Sequence, residues 1–118
     1  MNVRSLMLTA MVMAALSIPD YVLAENASQD LVVRNHQFDP GELVIPAGVE
    51  VKLVVHNNEA IPIEFESYDL SREIVVPVHG QRTIYIGPLK PGKYSFFNDF
   101  NHDMTGTVIA KAGLKKGG

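Results

Sequence analysis

Asp99, His102, Asp103 and Met104 gather two carboxylates, an imidazole and a thioether within the short stretch YSFFNDFNHDMTG, Tyr94 to Gly106. A second group lies upstream in IEFES, where Glu64 and Glu66 stand at i and i+2, with Glu73 on the following segment. In an extended strand that spacing sends both side chains to one face, their backbones about 7 Å apart. Should the fold bring the Glu64 end against the Asn98 loop, carboxylates and an imidazole converge. Hard oxygen donors with one imidazole suit Fe(II), Fe(III), Mn(II) or Cu(II) better than a soft ion. Carboxylates also favour the more highly charged ion, so such a set could ease the oxidation of Fe(II). One geometric condition applies. If Ile63 and Phe65 face the core, Glu64 and Glu66 face outward unless a bulge or the strand's end turns them. A Glu-x-Glu pair is also the ordinary pattern of a solvated strand face. Met104 is either a thioether ligand, better suited to copper than iron, or core filler beside Gly106.

Composition narrows the chemistry further. The chain has 118 residues, no Cys, no Trp and a formal net charge of −3, which bounds it to one small domain. No basic stripe is present to neutralise phosphates, so nucleic acid is disfavoured as a partner. The absence of cysteine excludes disulfides, thiolate metal sites and thiol catalysis. No nucleophile–base pair, phosphate loop or paired acid and base signals a hydrolase or transferase.

The first 24 residues read as an export signal. Arg4 supplies the positive start, Leu6 to Ile18 the apolar run, and Val22-Leu23-Ala24 the small residues before a cleavage point at Glu25. This run is too short for a spanning helix, an uncleaved anchor being the alternative. The reading is a signal peptide over 1–24 and an exported, periplasmic domain over 25–118 with no transmembrane segment. Met1, Met7, Met11 and Met13 leave with the signal, making Met104 the one methionine of the mature chain.

The domain itself shows short β-rich runs cut by Pro and Gly. Runs begin at Asp30, Glu42, Val49, Ile61, Glu73, Thr83, Tyr94 and Gly106. Val49, Val51, Leu53 and Val55 alternate with Glu50 and Lys52, the period of a half-buried strand. Seven to eight strands at intervals of about ten residues imply an all-β sandwich or barrel. Ser67 to Arg72 has room for a helical turn, and the basic tail from Lys111 is expected to fray.

With the strands placed, a family resemblance emerges. FDPGELVIPAGVEVKLVVHN, Phe38 to Asn57, resembles the opening half of a cupredoxin domain, and GPLKPGKYSFF, Gly87 to Phe97, resembles the strand that delivers the cysteine of blue-copper proteins. The resemblance covers residues 30–111 and implies a cupredoxin-like Greek-key β-sandwich. IEFESYDLSREIVV and IGPLKPGKYSFFNDF look like the cupredoxin-like domain of EfeO-type proteins, and still more like the small periplasmic FtrB-type component of bacterial ferrous-iron uptake systems. By the same resemblance Asn98 stands where the copper cysteine would be, and Ile63 where the upstream histidine would be. A blue copper site needs both. A blue electron carrier is therefore rejected.

What the resemblance implies instead is an accessory of ferrous-iron uptake. Its partners would be an inner-membrane iron permease and a periplasmic iron-binding protein, and its cofactor or cargo Cu(II), an iron ion or both. The metal ligands expected are Glu64, Glu66, Asp99, His102 and Met104. Ferroxidation would need a partner metalloprotein, because a mononuclear site without thiolate offers no evident path to oxygen. The competing reading is a metal-free sandwich whose Tyr68, Phe97 and Phe100 contact another protein. Of the remaining histidines, His36 is either a surface residue or a second contact to the metal. His56 should lie opposite the buried face of its strand, and His79-Gly80 marks a turn.

Overall fold

A computed structural model describes residues 27–114, and the export signal expected over 1–24 lies outside them. Nine strands run in chain order: β1 (Ser28–Arg34), β2 (Gln37–Asp39), β3 (Glu42–Pro46), β4 (Val51–Asn57), β5 (Ile63–Ser67), β6 (Arg72–Val76), β7 (Gln81–Ile86), β8 (Gly92–Asn98) and β9 (Asn101–Lys111). They form two sheets, β2-β1-β4-β7 and β3-β9-β8-β5-β6. The expected all-β sandwich is what the chain adopts. Among the described residues no helix is long and apolar enough to cross a membrane.

The alternation read in β4 is realised side by side in space. Val51, Leu53 and Val55 are fully buried, Lys52 is exposed, and His56 sits on the outer face, where its Nε2 meets Asp30 Oδ1 at 2.9 Å. Between the sheets, the Phe96 ring stacks on Phe65 at 5.1 Å and meets Phe38 edge-on at 4.9 Å. Such pairs add about 0.5–1.5 kcal/mol each beyond the area they bury. Asn57, wholly buried, gives its amide hydrogens to carbonyls of Ile61, Val76 and Pro77 and accepts from the Glu59 N–H. That set of bonds closes the end of the sandwich around β4 and β6.

Two features differ from the sequence reading. The ninth strand is β2, three residues long and too short to show a period; it returns on β1 through Asn35 and His36, both at positive φ. Two left-handed residues between paired strands make the turn whose twist matches the sheet. Ser67 to Arg72 holds a hairpin loop between β5 and β6 instead of a helical turn. Ser67 Oγ accepts from the Leu70 N–H at 3.0 Å while donating to the Ser95 carbonyl at 2.7 Å. Ser71, at a positive φ of 55°, then reverses the chain into β6 instead of continuing a helix.

Gly106 sits opposite Phe96 in the β8–β9 pairing, and a Cβ there would come within 2.3 Å of the Phe96 ring. Gly106→Ala must push that ring into a filled core. The expected cost is about 1–3 kcal/mol, read as a lower urea midpoint with unchanged slope; an unaltered midpoint would show that the Phe96 ring has room to move.

Candidate metal centre

The site is assembled by strand register. In β5, Ile63 and Phe65 are buried, so Glu64 and Glu66 project from the outer face of the five-stranded sheet. β6 lies antiparallel to β5 with Glu73 directly opposite Glu66 and Val75 opposite Glu64. Two like charges facing each other across a strand pair are unfavourable unless something offsets them.

The fourth member arrives from the β8–β9 connection. Phe97 pairs with Thr105, but Asn98 pairs with Asn101, leaving His102, Asp103 and Met104 of β9 without opposite residues on β8. This bulge, with the turn at Asp99 and Phe100, swings Asp99 back to β5, where its N–H donates to the Glu64 carbonyl at 2.9 Å. Glu64, Glu66, Glu73 and Asp99 thereby offer carboxylate oxygens that all lie within 4.8 Å of one another. Among the described residues none of the four is ion-paired to a lysine or arginine. The cation of the β5–β6 hairpin, Arg72, turns its guanidinium to the carbonyls of Tyr85 and Ser71 instead.

Proximity shows in the titration of the cluster. A hydrogen bond shared with Glu73, partial burial, and the charges of Glu73, Asp99 and Glu66 push the Glu64 carboxyl from 4.5 up to about 7. Glu66 is raised as well, first by burial, then by its hydrogen bond to Glu73 and the charges of Glu73 and Asp99.

Of the five ligands expected from sequence, three meet here: Glu64, Glu66 and Asp99. Glu73, noted in the sequence only as lying on the next segment, completes them, because register places it opposite Glu66. His102 stands behind the cluster: its Nε2 lies 2.9 Å from Asp99 Oδ1 and its ring packs edge-on against Phe97 at 5.2 Å. That is the position of a residue orienting a ligand. Met104 does not join the cluster: it is 4 % exposed on the core side of β9, and its sulfur accepts from the Asn98 amide at 3.4 Å, the core-filling alternative read from the sequence. His36 is a surface residue, its Nδ1 held by Glu59 at 3.0 Å.

The slot that the resemblance assigns to copper is filled with protein. Asn98 is 1 % exposed; its Oδ1 accepts from the Glu64 N–H at 2.9 Å and the Phe100 N–H at 3.1 Å. Ile63 lies beside it, also buried. These residues do not fit a blue copper ion. The four oxygens outside do fit a hard cation, since 4.8 Å spans opposite ligands of an ion bound at about 2.0–2.6 Å.

Two outcomes test this geometry. Asn98→Ala would orphan two backbone donors and is expected to cost about 2 kcal/mol or more, measured by urea denaturation; a neutral result would dismiss the staple. The second concerns pH. Glu64 and Glu66 hold protons more tightly folded than unfolded, so their contribution favours folding fully below 4.5 and declines at higher pH, that of Glu64 being lost as pH rises through about 7. In chelator, Tm should fall across that window, and Glu73→Gln should flatten the decline; equal slopes in both proteins would contradict the shared hydrogen bond.

Comparison with known proteins follows the same lines. A family model described as Cupredoxin-like domain matches residues 6–110. An uncharacterized protein of Rickettsia prowazekii (strain Madrid E) is 40% identical over 73 residues, covering 62% of this chain and 58% of that relative. The chain thus matches less than two thirds of that curated relative's length. Among solved structures, the metal binding domain of the Cu(I) exporting P-type ATPase CopA of Streptococcus pneumoniae, with Cu(I), superposes with a TM-score of 0.61 at 12% identity, covering 71% of this chain and 84% of that one. Reduced auracyanin of Roseiflexus castenholzii gives 0.60 at 15%, covering 73% and 98%, and amicyanin of Paracoccus versutus 0.54 at 19%, covering 82% and 88%. At such identities the likeness is one of fold.

Proposed function

Because the chain belongs to the cupredoxin-like domain family yet carries oxygen donors and no thiolate, we propose that it is a periplasmic protein that binds a hard cation at Glu64, Glu66, Glu73 and Asp99, in the service of ferrous-iron uptake. The observation that carries this reading is the convergence of four carboxylates within 4.8 Å with no lysine or arginine among the described residues paired to them. A divalent or trivalent ion removes the repulsion that raises Glu64 and Glu66. The residue pattern in IEFESYDLSREIVV and IGPLKPGKYSFFNDF, similar to the EfeO-type and FtrB-type proteins, supports iron as the cargo and an iron permease as the eventual recipient. Cu(II) fits the same oxygens; Cu(I), which prefers sulfur, does not.

Within this scheme the chain's own residues have separate tasks. Glu64, Glu66 and Glu73 supply charge from two paired strands, so their spacing is set by sheet geometry. Asp99 closes the set from the turn, and His102 fixes its carboxylate. The four carboxylates would hold the more charged, oxidised state of iron more tightly than the reduced one, which would favour loss of an electron from Fe(II) to a partner that accepts it.

Calorimetric titration of the mature protein with Fe(II) under nitrogen, Mn(II) and Cu(II) tests the reading. Binding tighter than about millimolar is expected, accompanied by a rise in Tm, since a ligand of the folded state alone stabilises it. Glu66→Gln should abolish the heat signal, and His102→Gln should weaken it about tenfold. Binding indifferent to Glu66→Gln and Glu73→Gln, or none with any of the three ions, would overturn the assignment.

A further inference from the structure

Beside the carboxylate cluster, on the same outer face, runs an open groove of about 450 Å³ whose wall is aromatic. Tyr68 and Phe97 meet at 5.5 Å with rings tilted by 59°, and His102 lies edge-on to Phe97 at 5.2 Å. Thr105, Gly106 and Thr107 form the opposite bank on β9. Tyr68 is 76 % exposed and Phe100, on the adjoining turn, 55 %. Side chains of this size gain nothing for the fold by standing in water, since they bury little against it.

Three acidic residues adjoin side chains that line the groove. Asp69 Oδ2 accepts from the N–H and hydroxyl of Ser95 at 2.9 and 3.1 Å. Asp99 is bonded to His102, and Glu66 stands opposite Phe97 across the β5–β8 pair. No lysine or arginine lines the groove. An aromatic wall within an acidic rim is complementary to a planar cation. The ring faces attract its charge, and the carboxylates accept its hydrogens.

We propose that this groove docks a basic segment of a partner protein, with an arginine side chain laid against Tyr68 and Phe97 and its guanidinium directed to the acidic rim. The openness of the groove suits an extended peptide better than an enclosed organic cation. Arginine fits better than lysine because its planar fork stacks on aromatic rings while donating to carboxylates at its edge. The surface lies on the outer sheet face; Asp69 is outside the carboxylate cluster, whereas Glu66 and Asp99 are shared with it, so the ion-free protein offers the groove its full acidic rim.

The test titrates the folded protein, held in chelator, with a synthetic peptide of alternating arginine and glycine, followed by NMR. Shifts are expected at Tyr68, Phe97 and His102, weakening with added salt. Tyr68→Ala should weaken binding about tenfold, a loss within the range of one cation–π contact, while Tyr68→Phe should retain it. Since Tyr68 is largely solvent-exposed, neither change should disturb folding. Three results would overturn the proposal: equal affinity of the native protein and Tyr68→Ala, shifts confined to the Glu64–Glu73 cluster, or free arginine binding as tightly as the peptide. Chelator separates this from the metal reading, and Tyr68→Ala retains all four carboxylates for an independent metal titration.

Discussion

One buried amide organises the functional end of this sandwich. Asn98 reaches from the last position of β8 to the backbone of β5 and to its own turn, and gives its remaining hydrogens to the sulfur of Met104. Each bond is worth about a kilocalorie net, but an unmade one in that dry place would cost more than a made one contributes. The consequence is positional. The turn is pinned so that the Asp99 N–H meets the Glu64 carbonyl of β5 and its carboxylate joins those of Glu64, Glu66 and Glu73 on the outer face. No buried side-chain nitrogen or oxygen among the described residues lacks a partner.

Outside, the organising force is repulsion. Sheet register sets Glu73 against Glu66, and the β9 bulge adds Asp99, so four acids are held closer than free carboxylates would choose. The backbone pays for none of this by itself; the ladder of β5 and β6 would form equally well with threonines. A surface that keeps such a cluster, with Arg72 turned away from it, is poised for positive charge from elsewhere. Metal ion and basic side chain are two forms of the same complement, addressed by neighbouring parts of one face.

The sequence carried much of this, unevenly. Alternation in β4 and the Pro–Gly punctuation were sufficient for a two-sheet sandwich, because burial on one face leaves a period of two. Glu64 and Glu66 were visible as a pair for the same reason, as was the condition that a buried Ile63 and Phe65 would send them outward. What periodicity cannot carry is register. Nothing local to Glu73 says that it will oppose Glu66, and nothing in FNHDM says that Asp99 will turn toward β5 while Met104 turns to the core. The resemblance set Met104 among the ligands, whereas the fold packs its sulfur against the Asn98 amide, apart from the carboxylates. Asn98 was legible as the residue in the cysteine's place; its bond to the Phe100 N–H is local, but the Glu64 N–H lies on a strand that only the fold brings to it.

The outward placement of the carboxylates bears on time as much as on affinity. An ion enclosed between sheets leaves only when strands separate or a loop lifts, and its residence is governed by those local openings. A cation held on the solvent side of β5 and β6 needs no such event, since water and an approaching recipient can replace its ligands one at a time. In the metal-binding role proposed above, the half-buried Glu64 and Glu66 would slow that exchange without forbidding it. Retention suits an electron carrier, which must keep its ion through every cycle; ready exchange suits a courier.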